Sequence, residues 1–401
     1  MFDRIKKYEV STYYYPIMMI VYTLTLVPQS GIRPGIFSAV LVGFVLAEAL
    51  FEGKLAVVKK GQAADVIMVI WLVYNIVSGI WTVAFGIPFS VYAGELITTA
   101  LPMSFYFAGR SFDTKLKEEF YRYFIMAVTG VGILGIILYV TAPKFYVDYL
   151  FDLGYISLAD TPTMRVRMIS VIGSIQMGYL AVAAMLACSH FMLKREKDGK
   201  LYTFLFFFNC FLAFMSNQRA AMVVAILAIL YMNYLVFFTF DILPKKFFIA
   251  EMGVIAAGFV GLLVVFHGAF MKVYYRLVSL PGAVGQRSDQ WVGAANNMAN
   301  KWLGNGLGAN GHRAAGFTEH LIADGGIAKL YCEMGIIGAS LFAFLILLVF
   351  KKGSKNLREC APEMGIVAMT LLASIGSNLM SFALSVPILY FAIGSIARNE
   401  N

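Results

Sequence analysis

Runs of about twenty apolar residues, each long enough to cross the roughly 30 Å hydrocarbon core of a bilayer, recur along this 401-residue chain. No other feature narrows the fold so far. Backbone in lipid must satisfy its own hydrogen bonds, so only helices or a closed barrel can span. The runs are unbroken and lack period-two alternation, which selects helices. Composition agrees: 14% of the residues are charged and 60% hydrophobic, whereas soluble domains carry about 25% charged residues. The sequence therefore predicts an all-α integral membrane protein, a single polytopic domain over residues 1–401. About twelve transmembrane helices are expected, at 13–27, 35–51, 64–85, 91–108, 123–141, 169–193, 201–216, 219–240, 247–266, 326–350, 365–380 and 382–396. The first run follows Arg4, Lys6 and Lys7 with no small-residue cleavage site after it, so it reads as an uncleaved first span.

Lysine and arginine set the orientation. One set of connections holds Lys54, Lys59, Lys60, Arg110, Lys115, Lys117, Arg122, Lys194, Arg195, Lys197, Lys200, Lys245, Lys246, Lys351, Lys352, Lys355, Arg358 and Arg398. The short loops of the other side hold Arg33, Lys144, Arg165, Arg167 and Arg219. An asymmetry of about four to one puts both termini in the cytoplasm and the large 267–325 loop outside. The net charge of +9 is thus a matter of topology and does not indicate a nucleic-acid partner. Cys188, Cys210, Cys332 and Cys360 are scattered, without metal or redox spacing.

Between Gln286 and Gly338 the chain changes character, becoming polar and glycine-rich, with Arg287, Asp289, His312, Arg313, Glu319, His320 and Asp324. It reads as the roof of an active site. Ser288 is expected to cap a helix that carries Trp291, Ala295, Met298 and Trp302 on one face, lying on the outer leaflet. The run GNGLGANG (304–311) lacks the preceding strand and the GK[ST] ending of a nucleotide loop. It suits a tight loop that lets backbone approach a ligand. Residues 142–168, with PKFYVDYLFDLGY, suit a membrane interface.

Several residues are candidates for chemistry. Arg219 opens a span at the end where the helix dipole is already positive, so it either snorkels to the interface or holds an anion such as phosphate. Arg165 and Arg167 stand before the sixth span on the same side, as interfacial anchors or as partners in that site. His320 and Asp324 are four apart, and either can serve as a general base. Asp324 is equally well placed to N-cap the tenth span, and His320 to hydrogen-bond loop backbone. Glu48, Glu95 and Glu333 lie within apolar spans, as functional groups or helix–helix hydrogen-bond partners. No HExxH, paired Cys/His or DxD pattern points to a metal.

Three features in order complete the reading. Ser216-Asn217-Gln218-Arg219 precedes an apolar helix; Arg287 and Trp291 precede the Gly304–Gly308 turn; Asp324 leads to Glu333-Met334-Gly335-Ile336-Ile337-Gly338. Together they resemble the bacterial O-antigen polymerase and O-antigen ligase superfamily of polytopic glycosyltransferases, over roughly residues 165–348. The resemblance implies a GT-C-type architecture in the bacterial inner membrane, with the 267–325 loop in the periplasm. It further implies glycosyl transfer from undecaprenyl-diphosphate-linked glycan donor to acceptor, without cofactor or metal, and admits a chain-length regulator as a partner. Arg219, Arg165 or Arg167, and Arg287 become diphosphate ligands, with Asp324 or His320 as base. Many ligases carry His-Asn where this chain has Asp324-Gly325, which favours the polymerase over the ligase. A transporter of lipid-linked glycan is the alternative from another class; no inverted repeat or pair of matching broken spans supports it.

Overall fold

The computed structural model describes residues 9–27, 30–51, 62–152, 167–194, 199–246 and 280–398, with 248, 249, 253, 271, 274, 275 and 278. Arg165 and nearly all of the expected span at 247–266 lie outside these residues. Among the described residues the secondary structure is helical, apart from one isolated bridge between Ala315 and Thr318. Six helices among the described residues are long and apolar enough to cross a membrane, and the chain is an all-α membrane protein. They are α2 (Pro34–Phe51), α3 (Ala63–Val77) continued by α4 (Gly79–Ala84), α7 (Thr114–Thr141), α9 (Ser174–Lys194), α11 (Arg219–Tyr234) with a π turn to Thr239, and α13 (Gly326–Lys355). Shorter helices pack among them: α1 (Val10–Leu24), α5 (Phe89–Glu95), α6 (Phe105–Ser111), α8 (Lys144–Asp152), α10 (Gly199–Met215), α12 (Leu280–Asn296), α14 (Leu357–Ala373) and α15 (Ser385–Arg398).

α9 is apolar on every side and buried on nearly every side, so it is the axis of the bundle. α10, α7, α11 and α14 surround it. α15 is similarly enclosed and crosses α6 at backbone distance: a Cβ on Gly394 would stand 2.1 Å from the Tyr106 carbonyl, and one on Gly109 equally close to that of Phe391. Small residues that let backbones meet are the packing device of helices in lipid, where apolar burial alone drives little association. The perimeter is greasy, as a lipid-facing surface must be: Ile36, Phe44, Phe51, Met126, Val140 and Leu347 are exposed.

The bundle has two unlike ends. At the basic end, Lys352 donates to Gln62 and to the Ala397 carbonyl, Lys194 pairs with Glu118 at 2.6 Å, and Lys117 pairs with Glu363 at 3.1 Å. Arg110, at the end of α6, pairs with Asp65 in the first turn of α3 at 3.1 Å. The opposite, loop end carries residues 297–325. Two expectations change here, and a third stretch gains its local structure. α12 begins well before Ser288, whose hydroxyl bonds the Gly285 carbonyl at 2.7 Å inside the helix instead of capping it. α12 ends at Asn296, leaving Trp302 in the following turn. The aromatic stretch after Pro143 is the helix α8, with Tyr146 and Leu150 buried and Tyr149 bonded to Thr25.

Candidate functional site

Irregular backbone at the loop end converges on one buried group, the ammonium of Lys329. The first irregularity follows α5. The helix widens into a π turn at Leu96–Ala100 and tightens into a 3₁₀ turn at Leu101–Ser104, where Pro102 lacks a donor, before α6 resumes. Such π turns in α-helices recur at functional sites. Here the turn follows Glu95, whose carboxylate accepts from Lys329 and, at 3.2 Å, from Thr99.

The second irregularity is a break in α13. Gly335 has φ 63° and ψ −170°, a conformation that an L side chain resists. The interruption frees backbone groups that cannot stay unpaired in a buried span. The glycine-rich loop answers them. Asn305 and Gly306 donate their amides to the Cys332 and Glu333 carbonyls at 2.9 and 2.7 Å, while Ile336 and Ile337 donate to Lys301 and Trp302 at 3.0 and 3.1 Å. Tyr74 Oη donates to the Met334 carbonyl at 2.9 Å. The fit leaves no room for a side chain: a Cβ on Gly335 would sit 2.3 Å from the Trp302 carbonyl, and one on Gly304 2.3 Å from that of Glu333. The loop is therefore tight for the reason expected, a close backbone approach. What it approaches is the chain's own broken helix.

Charge fastens the same junction. Glu333 Oε1 accepts the Asn310 amide at 3.1 Å and stands 3.7 Å from Lys329 Nζ. Arg313 Nε lies 3.7 Å from Glu95. Lys329 also donates to Ser381 Oγ at 2.8 Å, in the segment between α14 and α15. Glu95, Lys329 and Glu333 are each 5% exposed or less, so one buried ammonium stands between two buried carboxylates. Removing the cation would strand both. Glu95 and Glu333 were sequence candidates; Lys329 was passed over, although its spacing of four from Glu333 inside an apolar run was a signal. Glu48 proves to be a cap, accepting the Val10 amide at the start of α1 at 2.8 Å.

The polar stretch also joins α12 to the start of α13. Arg287 Nη2 pairs with Asp324 Oδ2 at 2.6 Å, and Trp291 donates its ring N–H to the Asp324 carbonyl at 2.7 Å. Asp324 therefore does not cap α13. The cap position is Gly325, with φ 126°, and carbonyls of the segment after α14 do the capping: Gly326 donates to Ser377 and Ile327 to Ser374, at 3.0 and 3.2 Å. His320 sits in the loop rather than on an early turn of α13, so it does not share a helix face with Asp324. Its carbonyl accepts from Asn310 at 2.8 Å. His312 Nε2 is 3.0 Å from the Ala323 carbonyl.

Two more of the expected arginines lie at this end. Arg167 is half-buried beside Met168, whose amide bonds the Met215 carbonyl at 3.0 Å. Arg219, also half-buried, opens α11 after Gln218, which reaches Ser174 at 2.6 Å. These bonds tie the approach to α9 to the start of α11, bringing Arg167 and Arg219 to one neighbourhood. Arg287 reaches the end of α14, with Nη1 3.6 Å from where Gly376 would carry a Cβ. Among the described residues no cluster of three or more His, Cys, Asp or Glu side chains forms a metal site. No protein-family model matches the chain, and no curated protein matches it.

Proposed function

We propose that this protein is a polysaccharide polymerase of the bacterial inner membrane, joining undecaprenyl-diphosphate-linked repeat units into O-antigen or a related surface polysaccharide. In this reading it has about twelve spans, both termini are cytoplasmic, and the 267–325 loop roofs a periplasmic site. The observation that carries the proposal is the gathering of Arg167, Arg219 and the Arg287–Asp324 pair at the end where the glycine-rich loop fills the break in α13. Cations at that end suit a lipid-linked diphosphate presented at the outer leaflet.

The chemistry follows. A hydroxyl oxygen of the acceptor glycan attacks the anomeric carbon of the donor, and the bond from that carbon to the diphosphate oxygen breaks. Arg167, Arg219 and Arg287 take up the charge on the departing diphosphate. Asp324 is the better base of the two expected. Diphosphate that draws the guanidinium of Arg287 away frees the Asp324 carboxylate to accept the hydroxyl proton. His320 then positions the loop through its carbonyl bond to Asn310.

A second reading, a transporter of lipid-linked glycan, gains from the break at Gly335, because interrupted spans lined with charge are common in carriers. Purified protein, an undecaprenyl-diphosphate oligosaccharide and a gel resolving glycan length separate the readings. A product ladder, lost in Arg219→Ala, is expected. A single transfer onto added lipid A core would make the protein a ligase, and movement across vesicles without any new linkage would make it a carrier.

A further inference from the structure

The loop end buries hydrogen-bond acceptors that its own helices leave unanswered, and their identity specifies a ligand class. α14 stops at Ala373, and Ser374 and Asn378 follow it into the interior, 0% and 4% exposed. Ser374 Oγ and Asn378 Oδ1 have no hydrogen-bond partner among the described residues. Asn378 cannot be turned around. Its Nδ2 donates to the Ile322 and Ala323 carbonyls at 3.0 and 2.9 Å, two acceptors that only an NH₂ satisfies, so the atom facing away is a pure acceptor. Gln176 repeats the arrangement, with Nε2 donating to Ile172 at 3.1 Å and Oε1 buried without a partner. Tyr179, a turn further along α9, bonds Thr370, a turn before Ser374, at 2.6 Å. The antiparallel pairing sets Gln176 level with Ser374.

Buried polar atoms are almost always satisfied, and clustered exceptions call for a ligand, an ion or water. The amide oxygens of Asn378 and Gln176 can only accept and so disfavour an anion, while the Ser374 hydroxyl can accept or donate. A metal cation is disfavoured by the Arg287 guanidinium at Gly376 and the Lys329 ammonium on Ser381. A neutral ligand rich in O–H donors fits. We infer that Ser374, Asn378 and Gln176 form a subsite for the hydroxyls of a glycosyl unit, separate from the arginines that hold diphosphate. In naming a glycan, the inference rests on the function proposed above. Entry is by parting of the Arg287–Asp324 pair, whose side chains are 25% and 32% exposed.

The test uses the full chain in lipid nanodiscs and compares three probes: undecaprenyl diphosphate, the same lipid carrying one N-acetylhexosamine, and a free disaccharide, each in sodium and in choline chloride. Ser374→Ala removes a hydroxyl that bonds nothing, so the unliganded Tm should hold or rise. Wild type should bind the glycosylated lipid more tightly than the bare diphosphate. The variant should weaken the glycosylated lipid about five- to tenfold and leave the bare diphosphate unchanged. Gln176→Met should act the same way. Equal weakening of both lipids, no weakening of either, or a sodium-dependent Tm shift abolished by Ser374→Ala would overturn the subsite. If neither lipid binds wild type, yet the disaccharide raises its Tm and Ser374→Ala abolishes that rise, the subsite stands and the lipid-linked reading falls. Silence to every probe overturns both.

Discussion

At the basic end, charged side chains finish regular helices, and each pair links two neighbours: Arg110 with Asp65, Lys117 with Glu363, Lys194 with Glu118. At the loop end, charge holds irregular backbone in place. Lys329 joins the π turn after Glu95, the broken helix at Glu333 and the segment at Ser381. The arrangement at the first end requires little beyond helix termini and an orientation in the membrane. The second adds positive-φ glycines and a helix break to its buried charge, features that the buried pairs Arg110–Asp65 and Lys117–Glu363 at the first end do without. Irregularity of that kind persists where a site must be shaped, because each departure from a helix has to be offset by specific partners.

Substitutions can break or sharpen this contrast. The largest effect is expected from Lys329→Met, which strands Glu95 and Glu333 as buried carboxylates; a loss of about 3–5 kcal/mol should appear as a steep fall in Tm in detergent. Adding Glu95→Gln and Glu333→Gln should restore much of it, because the stranded charges are then gone. Next comes Gly335→Ala. Its Cβ would meet the Trp302 carbonyl, and a cost on the order of 2–3 kcal/mol should accompany faster amide exchange at 301–306, read by mass spectrometry. If exchange there is unchanged, the loop does not depend on the break. Arg287→Ala should lower Tm by under about 1 kcal/mol equivalent, since the pair is partly exposed, yet should abolish transfer. Smallest is Lys194→Met at the basic end. It should cost less than about 1 kcal/mol and leave transfer intact, as measured by Tm and product yield.

How far the sequence could be read follows the same division. Apolar runs and the lysine–arginine asymmetry are compositional, so the helical bundle and its two unlike ends were legible. The polar 286–338 stretch also marked the end where the glycine-rich loop meets the break in α13. The irregular backbone was not legible, because its causes are non-local. Gly335 inside an apolar run looks like a tolerated helix glycine until residues 301–306 are seen to fill the break. Lys329 and Glu333 are four apart and could be paired by inspection, but Glu95 is 234 residues away from Lys329. Asp324 was placed at the right end and given the wrong local partner. A cap needs only sequence proximity to α13, whereas its observed partner, Arg287, arrives from α12.

The most direct test is single-turnover glycosyl transfer by purified protein at matched folded concentration, comparing wild type with Arg219→Ala, Arg287→Ala and Lys194→Met. The account predicts that both loop-end arginine variants lose transfer by a hundredfold or more, about 3 kcal/mol of transition-state stabilisation, while Lys194→Met stays near wild type. Transfer that survives both arginine substitutions, or that fails only in Lys194→Met, would contradict it.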